Sequence, residues 1–257
     1  MFKMDRTYLN LIIVISPLGA LFLLSQSWKN QLVVENVKVY NEHLVTGDEV
    51  KSLADIRTGS SLYKISLLKI AKRVEENPFV DKAVVVRALP YDVAITVKER
   101  DPIAVVATPT SAYSIDKRGI ILPLPMQRKN NMPVITGVHE QFQVGDTASG
   151  TLMQAVDFVD DAQKLGPAFS ANIAEVRLDR GDLIAYTTVS SLQVIVGKDD
   201  FNRKLLYLQK FLQDAAINGG PQCSYVDLRY NGQIVVGTGA ADIHSQLAMV
   251  KPAGKGN

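Results

Sequence analysis

The hydrophobic pattern begins with one long apolar segment near the N-terminus. No charged residue occurs from Thr7 to Trp28, and Leu11 to Leu24 is almost wholly apolar. At about 1.5 Å per residue, a helix of this length spans the roughly 30 Å hydrocarbon core of a bilayer. Pro17 and Gly19 interrupt the run, but both residue types are tolerated in membrane helices. We therefore predict a transmembrane helix over residues 9–28.

Basic residues set the predicted orientation of this helix. Lys3 and Arg6 precede it, so the positive-inside rule places residues 1–8 in the cytoplasm. No second apolar span follows residue 30, which predicts a single-pass protein of the cytoplasmic (inner) membrane with its remaining residues extracytoplasmic. A cleaved signal peptide is the alternative, because the two basic residues also form an n-region and residues 25–27 (Ser-Gln-Ser) resemble a cleavage site.

The next region, up to residue 101, alternates between strand-like and helix-like periodicity. A capping box at Thr46–Glu49 opens the first helix, and Asn77-Pro78 ends the second. The predicted order is β-α-α-β-β. Its elements are a β-rich run over Leu32–Tyr40, a helix from Thr46 to about Ile56, a helix over Leu67–Val74, and strands over Val80–Leu89 and Val93–Val97.

After Asp101-Pro102, short strands separated by turns dominate. The predicted strands are Ile103–Ala107, Ala112–Ile115, Ile120–Leu122, Ile173–Leu178, Leu183–Thr187, Leu192–Val196, Cys223–Tyr230 and Gln233–Val236. Two helices are marked by Leu152–Val159 and Phe201–Leu212. We predict an α+β fold class, with a mainly antiparallel β domain and two helices over residues 102–239. A small, polar, flexible tail is expected over 240–257.

Asn231-Gly232 is the strongest two-residue hairpin signal in the chain. The predicted hairpin pairs Tyr230 with Gln233, Leu228 with Val235 and Val226 with Gly237 on a core face, and Arg229 with Ile234 and Asp227 with Val236 on a solvent face. Apolar Ile234 and Val236 on that solvent face predict that the last strand is an unprotected sheet edge. The alternative is that a helix or the tail after Ala240 covers the edge.

Charge and cysteine content exclude several function classes. The 28 basic and 26 acidic residues are interleaved rather than clustered, which argues against a nucleic acid partner. The single cysteine, Cys223, can form neither an internal disulfide nor a paired-cysteine metal site, and we interpret it as a small apolar filler.

Side chains suited to catalysis or metal binding do not cluster. His43, His139 and His244 lie in three separate segments with no Glu or Cys at ligand spacing. Asp160-Asp161 and Asp199-Asp200 are adjacent pairs, and adjacent residues on a helix point apart. No phosphate-binding loop or nucleophile elbow occurs. We therefore predict no enzymatic activity, no metal, no cofactor and no small-molecule substrate, and favour a membrane-tethered binding module.

Several motifs resemble one family. Gly59–Tyr63 (GSSLY), Asn77–Pro90 (NPFVDKAVVVRALP) and Ile95–Ala104 (ITVKERDPIA) resemble the POTRA domain of the bacterial division proteins FtsQ and DivIB. The similarity continues in Ser114–Gly119, like the family's D-x-x-G hairpin, in Met132–Gly137, like its L-P-x-[LI]-x-G, and in Tyr225–Tyr230, like its final-hairpin motif. The resemblance implies a POTRA domain over 31–101 and an FtsQ-type β domain over 102–239.

The resemblance also implies a function and partners. Such a protein would be a non-enzymatic divisome scaffold at the division septum, linking early and late division proteins. It would recruit the coiled-coil proteins FtsB and FtsL and, indirectly, help to control septal peptidoglycan synthesis by FtsW and FtsI. The very short cytoplasmic N-terminus departs from the family and would limit contacts inside the cell.

In the family, a segment of FtsB adds onto the last strand of the β domain. Carried over, the contact strand is Gln233–Thr238, with Tyr230 as the aromatic anchor and Thr238 where some members have Trp. The implied partner-binding residues are Tyr225, Asp227, Arg229, Tyr230, Gln233, Ile234, Val235, Val236 and Thr238.

Other function classes remain as alternatives. An outer-membrane or secretion assembly factor with POTRA modules needs a long set of barrel strands for which 257 residues leave no room. A membrane-anchored cell-wall enzyme lacks its catalytic residues. Two alternatives remain: a POTRA-containing membrane-anchored assembly module, and a periplasmic sensor or binding module. A ligand screen by thermal shift would identify the second.

Overall fold

The structure, a computed structural model, describes residues 15–21, 32–125, 132–188, 191–217 and 223–238. Residues 15–21 form a helix, α1, on which Ile15, Leu18 and Leu21 are each more than half exposed. Most of the predicted span 9–28 and the whole tail 240–257 lie outside these ranges. Within them, no helix combines the length and the apolar character that crossing a membrane requires.

Contacts divide the chain into two units, Met1–Arg100 and Asp101–Asn257. From residue 32 the first unit follows the predicted β-α-α-β-β order. Its elements are β1 (Asn36–Tyr40), α2 (Gly47–Ala54), α3 (Leu67–Val74), β2 (Val80–Ala88) and β3 (Asp92–Glu99). The three strands form one sheet in the order β1-β3-β2, with β1 parallel and β2 antiparallel to β3.

The alternating pattern of β3 gives the first unit its core. Val93, Ile95 and Val97 are at most 1% exposed, whereas Thr96 and Lys98 on the other face are exposed. This confirms the predicted alternation. The buried residues of α2 and α3 that join the same apolar cluster are Val50, Ala54, Ile70 and Val74.

Hydrogen bonds explain where α2 begins and where it ends. Thr46 Oγ1 accepts from the Glu49 amide, as the capping box predicts. The Glu49 carboxylate accepts from the Asn77 side-chain amide, at 2.8 Å. The helix ends at Ala54, two residues before the predicted end, because Asp55 adopts a left-handed conformation with φ 46°.

The predicted strand over Leu32–Tyr40 is shorter in the structure. β1 begins only at Asn36, whereas residues 32–34 pair with residues 59–62 through the Val33–Ser61 bridge. The Leu62 amide donates to the Leu32 carbonyl and the Val34 amide to the Ser60 carbonyl. The β-rich run therefore forms two separate pairings: residues 32–34 pair with residues 59–62, and β1 pairs with β3.

The second unit contains one nine-stranded sheet and three helices among its described residues. The strands are β4 (Pro102–Ala107), β5 (Ala112–Asp116), β6 (Ile121–Leu122), β7 (Val134–Thr136), β8 (Ile173–Asp179), β9 (Asp182–Thr187), β10 (Gln193–Gly197), β11 (Tyr225–Asp227) and β12 (Val235–Gly237). The helices are α4 (Gly150–Lys164), the single-turn α5 (Pro167–Ser170) and α6 (Phe201–Ile217). The strand order is β12-β11-β10-β9-β8-β7-β4-β5-β6.

Five of the eight neighbouring strand pairs in this sheet are antiparallel, which agrees with the predicted mainly antiparallel domain. Three neighbouring pairs are parallel: β4 with β7, β7 with β8, and β10 with β11. β7 was not predicted as a strand, although it lies inside the Met132–Gly137 motif. Its three residues carry too short a pattern for a strand prediction, and pairing with β4 and β8 on both sides stabilises it.

The other family-like motifs also have local structural roles. Asp116 Oδ1 accepts from the amides of Arg118 and Ile120, both at 2.9 Å, which closes the D-x-x-G hairpin. Gly137 has φ 76°, and an added Cβ would overlap the Leu178 carbonyl oxygen. The Glu99 carboxylate accepts from three consecutive amides, residues 43–45. These motifs stabilise turns and loops rather than forming a chemical site.

Candidate functional site

The candidate site is the edge of the sheet formed by β11 and β12. β12 is the terminal strand of the sheet as far as the chain is described, and it covers only Val235–Gly237. The predicted contact strand, Gln233–Thr238, is therefore too long. Gln233 and Ile234 belong to the preceding loop, and Thr238 comes after the strand.

The predicted two-residue hairpin is also wrong in its register. The observed partners are Tyr225 with Gly237, Val226 with Val236 and Asp227 with Val235. Relative to the prediction, the register has slipped by one residue, which moves every side chain of β12 to the other face. The loop between the strands has seven residues, 228–234, rather than two.

A local turn causes this longer loop. The Arg229 amide donates to Asp227 Oδ1 at 3.0 Å, and such an aspartate turn directs the chain out of the strand. The Leu228 amide meanwhile donates to the Ile195 carbonyl on β10. The Asn231-Gly232 turn itself is present, because the Gln233 amide donates to the Tyr230 carbonyl and Gly232 has φ 74°.

The loop is attached to α6. Arg203 donates to the side-chain oxygen of Asn231 at 3.0 Å. Ile234 is partly buried and packs against the main core, whereas Tyr230 is 42% exposed. The structure therefore leaves the predicted aromatic anchor at the surface, on a loop held by a helix and by the core.

A row of cross-strand neighbours leads from the core to the edge. Consecutive strands pair Val176 with Ala185, Ala185 with Val194, Val194 with Val226 and Val226 with Val236. We call this set the core row. Its first four members are at most 1% exposed, but Val236 is 50% exposed. The side chain that ends the core row is therefore half uncovered.

The row on the opposite face contains a buried charge. Asp227, predicted to face solvent, has no exposed surface and is the cross-strand neighbour of Ile195. Its Oδ2 lies 2.7 Å from Arg229 Nη2, and Arg229 also approaches Asp182 at 3.5 Å. Hydrogen bonding to Asp227 raises the pKa of the Arg229 guanidinium. The sequence pattern does not reveal this pair, because a regular hairpin would place both residues on its solvent face.

Tyr225 and Gly237 fit against each other at the same edge. Tyr225 is 9% exposed, and a Cβ added at Gly237 would overlap atoms of its ring. The sequence prediction placed Gly237 on the last strand but gave it no role, whereas the structure shows that its missing side chain makes room for the Tyr225 ring. A glycine inside a short strand is the signal that points to such a close approach.

A second ion pair lies beside this edge. Lys204 on α6 is buried, and its Nζ lies 3.0 Å from Asp199 Oδ1, which is largely exposed. The hydrogen bond from Lys204 lowers the pKa of the Asp199 carboxyl. Asp199 and Asp200 therefore bind basic side chains of α6 separately, the second one with Arg203.

The remaining predicted residues take simple surface positions. Gln233 and Thr238 are exposed, and Val235 is half-buried. His43 belongs to the first unit and His139 to the second; both are exposed, and His244 is outside the described residues. Cys223 packs partly against the core, where desolvation raises the pKa of its thiol. In the described ranges, no group of three or more His, Cys, Asp or Glu side chains could hold a metal ion.

Comparison with known proteins shows that two parts of the chain match family models. The family model described as POTRA domain, FtsQ-type, matches residues 32–100. The model described as cell division protein FtsQ/DivIB, C-terminal, matches residues 104–229, which ends before β12.

Curated relatives agree with both models. Cell division protein FtsQ of Geotalea daltonii is 26% identical over 207 residues, which cover 79% of this chain and 74% of the relative. FtsQ of Salinibacter ruber is 26% identical over 243 residues, covering 90% of this chain and 92% of the relative. Cell division protein DivIB of Clostridium tetani is 22% identical and covers 79% and 78%. The chain belongs to the FtsQ/DivIB family of cell division proteins.

Proposed function

We propose that this protein is a single-pass membrane scaffold of the divisome that captures a segment of FtsB, in complex with FtsL, at the β12 edge. Through these partners it would help to control septal peptidoglycan synthesis by FtsW and FtsI. Its role is binding rather than catalysis. The membership in a family of cell division proteins supports the cellular process.

The observation that carries the proposal is the exposed end of the core row. Val176, Ala185, Val194 and Val226 are buried, and Val236 continues the same row while half exposed. A partner strand beside β12 would add one more position to this row. Burying an exposed valine contributes roughly 1–2 kcal/mol, at about 25 cal/mol per Å² of apolar surface.

Strand addition also accounts for how a partner would be held. An edge strand presents backbone amides and carbonyls that a second strand can pair with, and side chains at alternate positions provide specificity. β12 is short, so three residues of pairing alone would give modest affinity. Tyr230, exposed on the preceding loop, supplies the large aromatic surface that interface anchors commonly provide.

The first experiment tests the edge with the purified full-length chain and the FtsB–FtsL complex in detergent. Tyr230→Ala and Val236→Glu are each expected to lower the affinity by about thirtyfold or more, since losing an anchor costs about 2 kcal/mol and a charge must be desolvated on docking. Circular dichroism should stay unchanged for both variants.

Val84→Glu is the matched control. Val84 lies on β2 of the first unit and is 49% exposed, so the substitution introduces the same charge at an equally exposed valine. Wild-type binding of both Tyr230→Ala and Val236→Glu would contradict the proposal. Thr96, Lys98 and Arg100, on or just after β3, would then be the next candidate surface.

A second experiment tests whether the tail competes for the edge. Deleting residues 240–257 should leave the affinity unchanged if β12 is open. A clear gain in affinity would indicate that the tail occupies the edge in the unbound protein.

The membrane topology needs its own test. A periplasmic reporter fused after Asn257 should be active, and the membrane-bound protein should retain its N-terminal sequence. A mature protein that begins at Trp28 would contradict the anchor and favour a cleaved signal peptide.

A further inference from the structure

Four exposed apolar side chains lie at one end of the sheet of the first unit. Seven large hydrophobic residues are exposed among residues 32–100: Tyr40, Tyr63, Leu68, Val84, Val86, Leu89 and Tyr91. Four of these residues lie at the end of the sheet that carries the β2–β3 hairpin tip: Tyr63, Leu68, Leu89 and Tyr91. We call these four residues the hairpin-end surface.

Strand pairing brings two members of this surface to the start of β1. β1 runs parallel to β3 with Asn36 beside Asp92, so the β2–β3 hairpin tip lies at the end where β1 begins. The Glu35 amide donates to the Tyr91 carbonyl at 2.7 Å. Leu89 at the same tip is 63% exposed.

A third member, Tyr63, lies near Leu32, the first described residue of the β-α-α-β-β region. The Leu62 amide donates to the Leu32 carbonyl at 2.8 Å, which places Tyr63 next to the point where the chain enters the domain. Arg87, near the end of β2, donates to the carbonyls of Leu62 and Ile65. Its guanidinium also lies 5.5 Å from the Tyr63 ring centre.

Leu68 is placed by the same attachment. It lies in the first turn of α3, directly after the segment that Arg87 holds, and it is 69% exposed. Exposed Lys64 and Lys69 flank it. The exposed acidic residue at this end is Glu35, while Asp92 is paired with Lys38 at 2.6 Å.

The preceding sequence limits how far this end can be from the predicted membrane helix. Only residues 29–31 separate the end of the predicted helix at Trp28 from Leu32. The four Cα–Cα steps from Trp28 to Leu32 span at most about 14 Å when the chain is fully extended. One of the three connecting residues is Lys29. The hairpin-end surface is therefore the part of the first unit that the chain ties closest to the bilayer.

We propose that the hairpin-end surface docks onto the lipid headgroup region of the membrane that holds the anchor. Tyrosines are favoured at membrane interfaces, and exposed leucines can enter the boundary between headgroups and acyl chains. Lys64 and Lys69 would meet anionic lipid headgroups. This inference rests on the membrane anchor of the proposed function. It adds that the first unit is held in a fixed orientation against the bilayer rather than hanging from a loose tether.

The test uses the full-length chain in vesicles of phosphatidylethanolamine and phosphatidylglycerol that contain a headgroup nitroxide lipid. Cys223→Ser provides the background, and Tyr91→Cys or Lys98→Cys carries an environment-sensitive fluorophore. Lys98 lies six residues beyond Asp92 along β3, roughly 20 Å away, and is the matched control. We expect at least about twofold stronger nitroxide quenching at position 91 than at position 98, because contact quenching does not reach across roughly 20 Å.

A further variant separates docking from simple tethering. Leu89→Glu, added to the Tyr91→Cys protein, should lower the quenching to the level of position 98 while the circular dichroism is retained. Equal quenching at positions 91 and 98, or full quenching despite Leu89→Glu, would overturn the docking.

Carbonate extraction distinguishes this failure from failure of the anchor. A chain that is released from the vesicles contradicts the anchor and with it this inference. A chain that stays in the membrane but shows equal quenching contradicts only the docking.

Discussion

At one edge of the nine-stranded sheet, β6 is covered by its own chain; at the other edge, β12 has no further strand beside it among the described residues. Ile121 of β6 has no exposed surface, and its amide and carbonyl bond to Asp146 and Gly145, both at 2.8 Å. Val236 of β12 is half exposed. The two edges belong to one sheet, so the difference arises from the chain segments that pack beside each of them.

This difference indicates a division of roles within the second unit. Natural proteins protect sheet edges because exposed ones pair with other chains. Here the β6 edge is protected in that way, and its residues contribute to stability. The β12 edge contributes little apolar burial, and among the described residues no further strand pairs with it. Substitutions at the two edges should therefore separate stability from binding.

The largest effect is expected from the pair that supports the β12 edge. Asp227→Ala leaves Arg229 at a mostly buried position without its bidentate partner, which should cost about 3–5 kcal/mol in the free energy of unfolding. Urea denaturation measures this loss. Asp182→Ala, which removes only the 3.5 Å contact to the same guanidinium, is the control and should cost less than about 1 kcal/mol. Equal losses would show that Asp227 is not the main partner.

The second prediction compares the two edges directly. Ile121→Ala should lower the free energy of unfolding by about 2–4 kcal/mol, because it creates a cavity in the core. Val236→Ala should change stability by no more than about 0.5 kcal/mol, because the side chain is half exposed. Binding of FtsB–FtsL should respond in the opposite order. A stability loss of similar size for both variants would remove the distinction between the edges.

The third prediction concerns how locally β12 is stabilised against β11. Gly237→Ala places a Cβ against the Tyr225 ring, and overpacking of this kind costs about 1–3 kcal/mol. The cost should be local, because β12 is the last strand among the described residues. Hydrogen exchange is expected to accelerate in β11 and β12 while β4 to β6 keep their protection. Uniform acceleration across the sheet would contradict a locally stabilised edge.

The smallest effect concerns pH near the same edge. Lys204 lowers the pKa of Asp199 in the folded protein, so this pair stabilises the fold above the ordinary aspartate pKa of about 4. The contribution is lost as pH falls through the lowered value. The melting temperature of the wild type should therefore fall between about pH 5 and about pH 2, the range that brackets this titration. In Asp199→Asn this fall should be slightly less steep. An unchanged slope would show that the pair contributes nothing.

Local patterns predicted most elements of the fold correctly. The capping box at Thr46 and the alternation of Val93, Ile95 and Val97 both act within a few residues of the chain. The end of α2 was two residues off, because Asp55 takes a left-handed conformation that the sequence pattern did not reveal. β7 was missed because a three-residue strand has too short a pattern to stand out.

The candidate edge was predicted only in part. The Asn231-Gly232 turn exists, but the aspartate turn at Asp227 directs the chain out of the strand earlier and shifts the register by one residue. Val236 consequently joins the core row instead of the opposite face. Asp227 remains on the face opposite the core row, but it is buried there rather than exposed to solvent. The prediction placed the Asn231-Gly232 turn at the right residues but assigned the side chains of β12 to the wrong faces of the sheet.

Most elements of the fold, several turns and the family could be predicted from the sequence, because caps, turns and periodicity depend on hydrogen bonds and sterics among near neighbours. The tertiary structure alone decided the parallel pairings, the register of β12 and the difference between the two sheet edges. Those features depend on residues far apart in sequence, such as Ile195 beside Asp227 and Asp146 beside Ile121. A one-residue slip leaves every local pattern intact but reverses which side chains are buried.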